Sequence, residues 1–436
     1  MIIFRRILLV VIALMLVASV TTSVQSASPN VSVITIKGAI NPVLIDYVER
    51  GIEEAEDSGA EAIIIQMDTP GGLDTAMRDI IQLMVNSRVP VVVYVAPSGA
   101  RAASAGVFIT MAAHVAVMAP NTAIGAAHPV ALSSEGEAQM SETMEEKVLN
   151  DSAAYIRSLA EAHGRNMEWA ERAVRESVSA TEREALELNI IDMIAPDLDT
   201  LITMLDGRQV TMLDGRQITL NTQGATINDV PMKTIENFLY TIADPNIAYI
   251  LMSLAMMGIM VEIFNPGLIF PGIVGVICLL LAFFSLGMLP VNYAGVLFIV
   301  LAFGLFVGEV LTATFGLFTV GGVISLLIGS LILFQGASPV FQIDPWLIAT
   351  VTIIIAGSFA FIVSRAISIH HKQAKTGWED LIGKTAIVKA TLNPEGTIFI
   401  KGERWAAISE EGTVKAGEEV VIKKIDGLTL YITKKV

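Results

Sequence analysis

The sequence predicts a multi-domain membrane protein: an exported α/β domain, an α-helical transmembrane block of about four or five spans and a small all-β barrel. Three observations predict it. Between Ile263 and Ser364, 102 residues carry only two charges, Glu309 and Asp344. Residues 28–262 alternate short β-branched runs with amphipathic helical stretches and hold 14 basic against 32 acidic side chains. From residue 376 onward the chain breaks into short strand-like segments separated by Gly and Asn-Pro turns.

Composition sets the outer bounds. Hydrophobic residues make up 53% of the 436 positions and charged ones 16%, with a mean hydropathy of +0.64. Soluble chains carry roughly 25% charge, so a wholly soluble or disordered protein is excluded. The single cysteine, Cys278, excludes an intramolecular disulfide framework and a cysteine-rich zinc or iron–sulfur site. A net charge of −15 argues against nucleic acid as the main partner. The acid is concentrated in residues 28–262, with a net −18, while residues 370–436 carry +2.

The predicted order is a signal peptide over residues 1–26, the α/β domain over 28–200, a linker over 201–245, the membrane block over 246–366 and the barrel over 376–436. Arg5 and Arg6 precede the apolar run Ile7–Val20, and Val24-Gln25-Ser26 offers small residues for cleavage before Ala27. An uncleaved anchor is the other reading. In either case the two arginines stay in the cytosol and the acidic part is exported.

In the α/β part, strands are expected at Val31–Ile36, Ala62–Met67, Val91–Ala96, Val115–Met118 and Ile190–Ala195. Helices are expected at Leu44–Asp57, Leu73–Val85, Ser104–Ala113 and Glu142–His163. In the first helix Ile45, Val48, Ile52 and Ala55 recur at helical spacing. The alternation implies a mostly parallel sheet covered on both faces, with its active site at the carboxyl ends of the strands.

The apolar block divides into Ile247–Val261, Pro271–Leu289, Tyr293–Val310, Phe315–Phe334 and Trp346–Ser364. The first is short, and Asn265-Pro266-Gly267 beside it could be re-entrant. Glycines at 272, 275, 304, 308, 321, 322 and 329 are expected where helices approach closely, and Glu262 and Glu309 where spans end. Five spans put the exported domain and the tail on opposite sides, with Arg365, Lys372 and Lys375 in the cytosol; four would require a different topology. The tail reads as a small barrel of SH3 or OB size and as an interaction module. In the linker, Thr203–Gln209 recurs as Thr211–Gln217, a tandem repeat expected to form a duplicated hairpin with Asp-Gly turns.

Two strand ends stand out. Asp68-Thr69-Pro70-Gly71-Gly72 ends a buried strand in a glycine pair, which lets the backbone turn and present bare N–H groups. Gly99-Ala100-Arg101-Ala102-Ala103-Ser104-Ala105-Gly106 sets a serine among residues no larger than alanine at a helix start. Such a serine admits a substrate carbonyl and enjoys the helix amino terminus. It also fits an ordinary N-cap in a close helix contact, and both readings stand on these residues alone.

The segments "MDTPGG", "SGARAASAGVFITMAAHVAVMAPNTAIGA" and "ATEREALELNIIDMI" resemble the Clp-peptidase and crotonase-like fold. The chain as a whole is similar to the long form of the NfeD family, the membrane-bound serine proteases of the Clp class. The resemblance spans leader, protease domain, apolar block and OB-like barrel. It implies a Ser-Lys dyad, with Ser104 as nucleophile and Lys147, 43 residues on, as base. It further implies stomatin-like or flotillin-like membrane partners and a homo-oligomer. It implies no cofactor or metal, and the residues themselves form no metal-ligand cluster or nucleotide motif.

A free lysine titrates at about 10.4, so a basic Lys147 needs an apolar pocket that disfavours its ammonium form. The backbone N–H groups of Gly72 and Ala105 would hold the oxyanion. Residues from Ala126 to Glu142 would form a flap over the pair. His128, 24 residues past Ser104, is the competing base of Clp-type peptidases. It falls one residue late, which in a strand reverses its facing. His114 fits a helix–strand junction. Two other functions remain open from sequence: a non-catalytic scaffold of a stomatin-like complex, and a signal-peptide peptidase, which shares the Ser-Lys logic but lacks the apolar block and barrel.

Overall fold

The computed structural model describes residues 29–129, 142–312, 314, 316–334, 339–370 and 378–435. The predicted signal peptide and most of the predicted flap lie outside these residues. The chain forms two compact units, dividing near Phe359.

The α/β domain opens with β1 (Asn30–Lys37), α1 (Pro42–Asp57), β2 (Ala62–Asp68), α2 (Asp74–Asn86) and β3 (Val91–Val95). It continues through β4 (Arg101–Ala103), α3 (Ala105–Met111), β5 (Val115–Met118), β6 (Ala123–Gly125), α4 (Glu142–Ala162) and α5 (Met167–Arg175). It closes with β7 (Ser179–Thr181), α6 (Glu182–Glu187), β8 (Met193–Ile194), α7 (Leu198–Leu205), β9 (Gln209–Thr211), β10 (Gln217–Thr219), β11 (Thr226–Asp229) and α8 (Thr234–Ile242).

The main sheet has six strands in the order β11-β1-β2-β3-β5-β8, and every pairing is parallel. Its central strand β3, Val-Val-Val-Tyr-Val, is buried throughout, as expected of a strand covered on both faces. α1 starts at Asn41, whose side chain accepts from Val43 N–H, followed by Pro42 at the first helical position. Its buried face is Leu44, Tyr47, Val48, Ile52 and Ala55, one step round from the expected stripe, because Ile45 is only partly covered.

Residues 201–245, expected as a linker, belong largely to this domain. β11 pairs along β1 with Asn30 opposite Thr226, and α7 buries Leu201, Ile202 and Leu205. The tandem repeat forms one hairpin rather than two. Its first copy starts in α7, which Asp197 caps through Thr200 N–H; its second copy starts in β9, paired with β10. The same Thr-Met-Leu triplet is helical where a capped helix buries Leu205 and, in the second copy, runs from the end of β9 into the hairpin turn. A smaller sheet, β4-β6-β7, was not foreseen, since three-residue strands carry no readable periodicity.

The membrane domain comprises α9 (Pro245–Phe264), α10 (Phe270–Met288), α11 (Tyr293–Thr312), α12 (Leu317–Ile332) and α13 (Pro345–His370). By length and composition three described helices, α9, α10 and α11, can cross a membrane; Leu317–Ile332 and Pro345–Phe361 are shorter apolar stretches. The first span is a full 20-residue helix rather than a short one. Small residues seat the helices: a Cβ at Gly258 would come within 2.6 Å of the Pro271 carbonyl, and one at Gly295 within 2.6 Å of Leu333 Cα. Neither was among the expected glycines, whereas Gly304, which was, has open space beside it. Glu309 is 2% exposed. It accepts from Thr314 Oγ1 (2.8 Å) and from the N–H groups of Gly316 (2.8 Å), Phe318 (3.0 Å) and Thr319 (3.1 Å), so it caps α12 from the end of α11.

The second unit ends in a closed barrel of β12 (Thr385–Ala390), β13 (Glu395–Ile400), β14 (Glu403–Ser409), β15 (Glu419–Asp426) and β16 (Thr429–Lys434), in the order β12-β13-β14-β16-β15. Val388, Ile398, Val420, Ile422, Leu430 and Ile432 fill its interior. Closure leaves no open edge.

Candidate active site

β2 ends at Asp68, and the chain turns at Thr69, whose hydroxyl donates to Gly71 O (3.1 Å) and accepts from Gly71 N–H (3.0 Å). Gly71 adopts φ +120°, where an L side chain is strained. Gly72 lies beside Ile40, so closely that a Cβ would stand 2.1 Å from the Ile40 carbonyl oxygen. This bridge uses Gly71 O and Leu73 N–H, which leaves the Gly72 N–H directed away from Ile40. Both glycines are therefore demanded by shape.

The neighbouring segment delivers the serine. β4 pairs with β6, Ala102 opposite Ile124, and the strand ends at Ser104. Ser104 has φ 51°, ψ −114° and makes no side-chain cap bond to α3. The N-cap reading therefore fails for its hydroxyl, which is spared from the helix. A non-glycine residue at positive φ is strained; here it turns the chain abruptly from strand to helix. Ala105, as the first helical residue, keeps its N–H outside the helical ladder. Gly71 packs against Ser104: a Cβ on it would meet Ser104 Cβ at 2.7 Å and Oγ at 3.2 Å.

Ser104 opens into a cavity of about 500 Å³ whose lining includes Gly72, Ala105 and Lys147. All four residues singled out from sequence thus border one space. Lys147 is exposed, and among the described residues neither Glu145 nor Glu146 pairs with it. Met77, Phe108, Met144 and Val148 give the cavity apolar walls.

His128 stands elsewhere. Its Nδ1 lies 2.9 Å from the Val174 carbonyl, while its neighbours Ala127 and Pro129 line the cavity. His114 sits at the turn between α3 and β5, its Nδ1 accepting from Val91 N–H at 3.1 Å. It meets His163 edge to face at 5.7 Å. Burial, then the nearby Arg165 cation, lowers both imidazoles to about 4. Arg165 is buried beneath them. It donates to the Met111 and Ala113 carbonyls (2.7 and 2.8 Å) and to Asp192 (2.8 Å), closing the carboxyl end of α3.

Sequence reasoning missed Arg78 and Asp151. Arg78 on α2 donates to Asp74 (2.8 Å) and to Asp151 on α4 (2.6 Å), and its guanidinium lies 4.4 Å from the centre of the Tyr155 ring. It ties the helix after the glycine pair to the helix bearing Lys147. Only the Asp74–Arg78 spacing was readable; Asp151 is 73 residues from Arg78. Among the described residues, no three His, Cys, Asp or Glu side chains converge as a metal site.

Comparison with known proteins places the whole chain. It is 39% identical to a membrane-bound protease, PH1510, of Pyrococcus horikoshii, over 99% of this chain and 98% of the relative. The chain belongs to the NfeD family. NfeD family models match in three blocks: an NfeD1b N-terminal domain over residues 30–200, an NfeD integral membrane domain over 246–365, and an NfeD-like C-terminal, partner-binding domain over 379–434. It is thus an NfeD membrane protein of the long form, with a protease-like domain, a membrane domain and a partner-binding domain. NfeD1b, a membrane protein of Bacillus subtilis, is 26% identical over 98% of both chains. Among solved structures, the 1510-N membrane-bound stomatin-specific protease with a substrate peptide is 37% identical. It covers 50% of this chain and 98% of its own, with a TM-score of 0.46.

Proposed function

We propose that this NfeD protein is an integral-membrane serine endopeptidase that cleaves apolar segments of a stomatin-like membrane protein with a Ser104–Lys147 dyad. The observation that carries the reading is the shared cavity. A hydroxyl free of its helix, a lysine without an acidic partner among the described residues and two backbone N–H groups outside the regular ladders border one space. The protease name of a relative aligned over 99% of the chain supports the reaction class.

Lys147 is exposed. A peptide lying along Met77, Phe108 and Val148 would strip water from its amine and favour the neutral form. Neutral Nζ then takes the proton of Ser104 Oγ as the oxygen bonds to the scissile carbonyl carbon. The carbonyl oxygen becomes an oxyanion held by Gly72 and Ala105 N–H. The carbon–nitrogen bond breaks, and Lys147 returns the proton to the leaving amine. Water, deprotonated by the same amine, hydrolyses the acyl-serine. Substrate burial thus switches the base on, which protects the free enzyme from idle chemistry.

The remaining assignments belong to the same reading. The bundle crosses the membrane five times, the barrel is cytosolic and recruits the partner, and the protease domain is oligomeric. The test uses the full chain in lipid nanodiscs with an apolar peptide. Ser104→Ala and Lys147→Ala should each lower kcat by at least ~10³-fold. Equal cleavage by all three proteins would remove the dyad, and no cleavage by the unaltered protein would favour a scaffold.

A further inference from the structure

The cavity beside Ser104 is not built by the protease domain alone. Its lining includes Phe341, from the short turn Pro339–Phe341 between α12 and α13. That turn belongs to the membrane domain. Phe341 is 2% exposed and sits in the apolar cluster of the helix bundle with Ile343 and Ile348. The segment after it is anchored: Asp344 N–H donates to Asn246 Oδ1 (2.8 Å) at the start of α9, and the Asp344 carboxylate caps Trp346 N–H (2.7 Å).

The protease domain meets this cluster with the turn that matters most. Leu73, next to Gly72, and Ala39, next to Ile40, pack against the bundle's apolar cluster. The attachment is stiffened through α8. Arg50 bonds Glu236 at 2.8 and 2.7 Å, and Tyr240 OH donates to the Lys37 and Ala39 carbonyls at 3.0 and 3.2 Å. Ser285 in α10 donates to the Ile242 carbonyl at 2.5 Å. The cleft therefore reaches the seam between the α/β and membrane domains, where Phe341 joins a lining otherwise built by the α/β domain.

We propose that Phe341 is a specificity-determining residue: the membrane domain supplies an aromatic wall of the peptide cleft, and its bulk limits the size of the apolar side chain held beside the scissile bond. The proposal rests on the Ser104–Lys147 reading. An apolar wall discriminates by size, each methylene changing selectivity by about 10-fold or more.

The test uses the full chain in nanodiscs and peptides carrying Ala, Leu or Phe in turn at each position flanking one scissile bond. Phe341→Ala should raise kcat/KM for the Phe peptide relative to the Ala peptide by about 10-fold, at one position only. Phe341→Trp should shift the ratio the other way, and Phe341→Leu gives the comparison if the alanine variant does not fold. In a Ser104→Ala background, a photoreactive benzoylphenylalanine at position 341 should crosslink to the bound peptide. Size ratios unchanged at every position, or no peptide adduct, would overturn the proposal. Failure of the dyad would look different: Ser104→Ala would cleave normally while the crosslink persisted.

Discussion

Gly72 has no room for a methyl group, because Ile40 O would lie 2.1 Å from it. Gly72→Ala must therefore push the β2–α2 turn away from Ile40 and tilt the N–H offered to the cavity. We expect loss of activity together with a stability loss of about 2–4 kcal/mol, read by thermal melting of the full chain beside the peptide assay. Wild-type melting with full activity would refute the crowding argument. The histidine pair makes a pH prediction. Burial and Arg165 hold His114 and His163 near 4, against 6.5 when exposed. Between those values the unfolded chain binds more protons than the folded one, so stability rises with pH. It is fully present above about 6.5 and is lost as pH falls toward 4. Protonation would also cost His114 its acceptor role toward Val91 N–H. Melting temperatures between pH 4 and 8 should show this slope, and His163→Gln should flatten it; an unaltered slope would count against the pair.

Among elements, a single side chain links α2 to α4, the helix that carries Lys147. Arg78 joins them through Asp74 and Asp151 and lies on the Tyr155 ring. Its side chain is 33% exposed and Asp151 67%, so the bridge contributes little to stability, at most about 1 kcal/mol. Its value lies in alignment. Arg78→Ala should leave the melting temperature within a few degrees yet lower kcat by about 10-fold or more, since small misplacements of a reacting group are costly. Equal kcat with a large fall in stability would assign Arg78 to structure instead. The repeat teaches a related lesson. Thr203-Met204-Leu205 and Thr211-Met212-Leu213 are identical, yet one closes a helix and the other enters a hairpin. Periodicity in so short a stretch is weak, and the available partner decides.

For the whole molecule, charge and hydropathy divide the chain into an acidic α/β domain, an apolar bundle and a basic tail. Five crossings would put the barrel in the cytosol, in keeping with Arg365 in the last turns of α13 and Lys372 and Lys375 beyond it. In sealed right-side-out vesicles an added protease should spare residues 370–436 while attacking the exported domain. Digestion of the tail from outside would refute five crossings. The placement of Leu73 and Ala39 against the bundle would give a physical reason for the apolar preference proposed above. A cleft mouth fixed to the membrane domain meets chains lying near the bilayer.

Most of the architecture was legible from residues alone. Continuous β-branched runs and the helical stripe of α1 announced a buried parallel sheet, because period and burial are local consequences of strand and helix geometry. The glycine pair and the small-residue run around Ser104 marked the candidate site, since close backbone approach excludes side chains. What local pattern could not announce depends on long-range neighbours. Ser104 reaches its strained turn through β4, a strand too short to carry a period. The sixth strand of the sheet comes from residues 226–229, which read as linker until β1 pairs with them. Arg78 finds Asp151, and Phe341 enters the cleft, across stretches of chain that carry no hint of the meeting. Composition and period settle what each segment becomes, because they are local. Folding alone brings segments together, because contact between distant residues depends on how the elements pack.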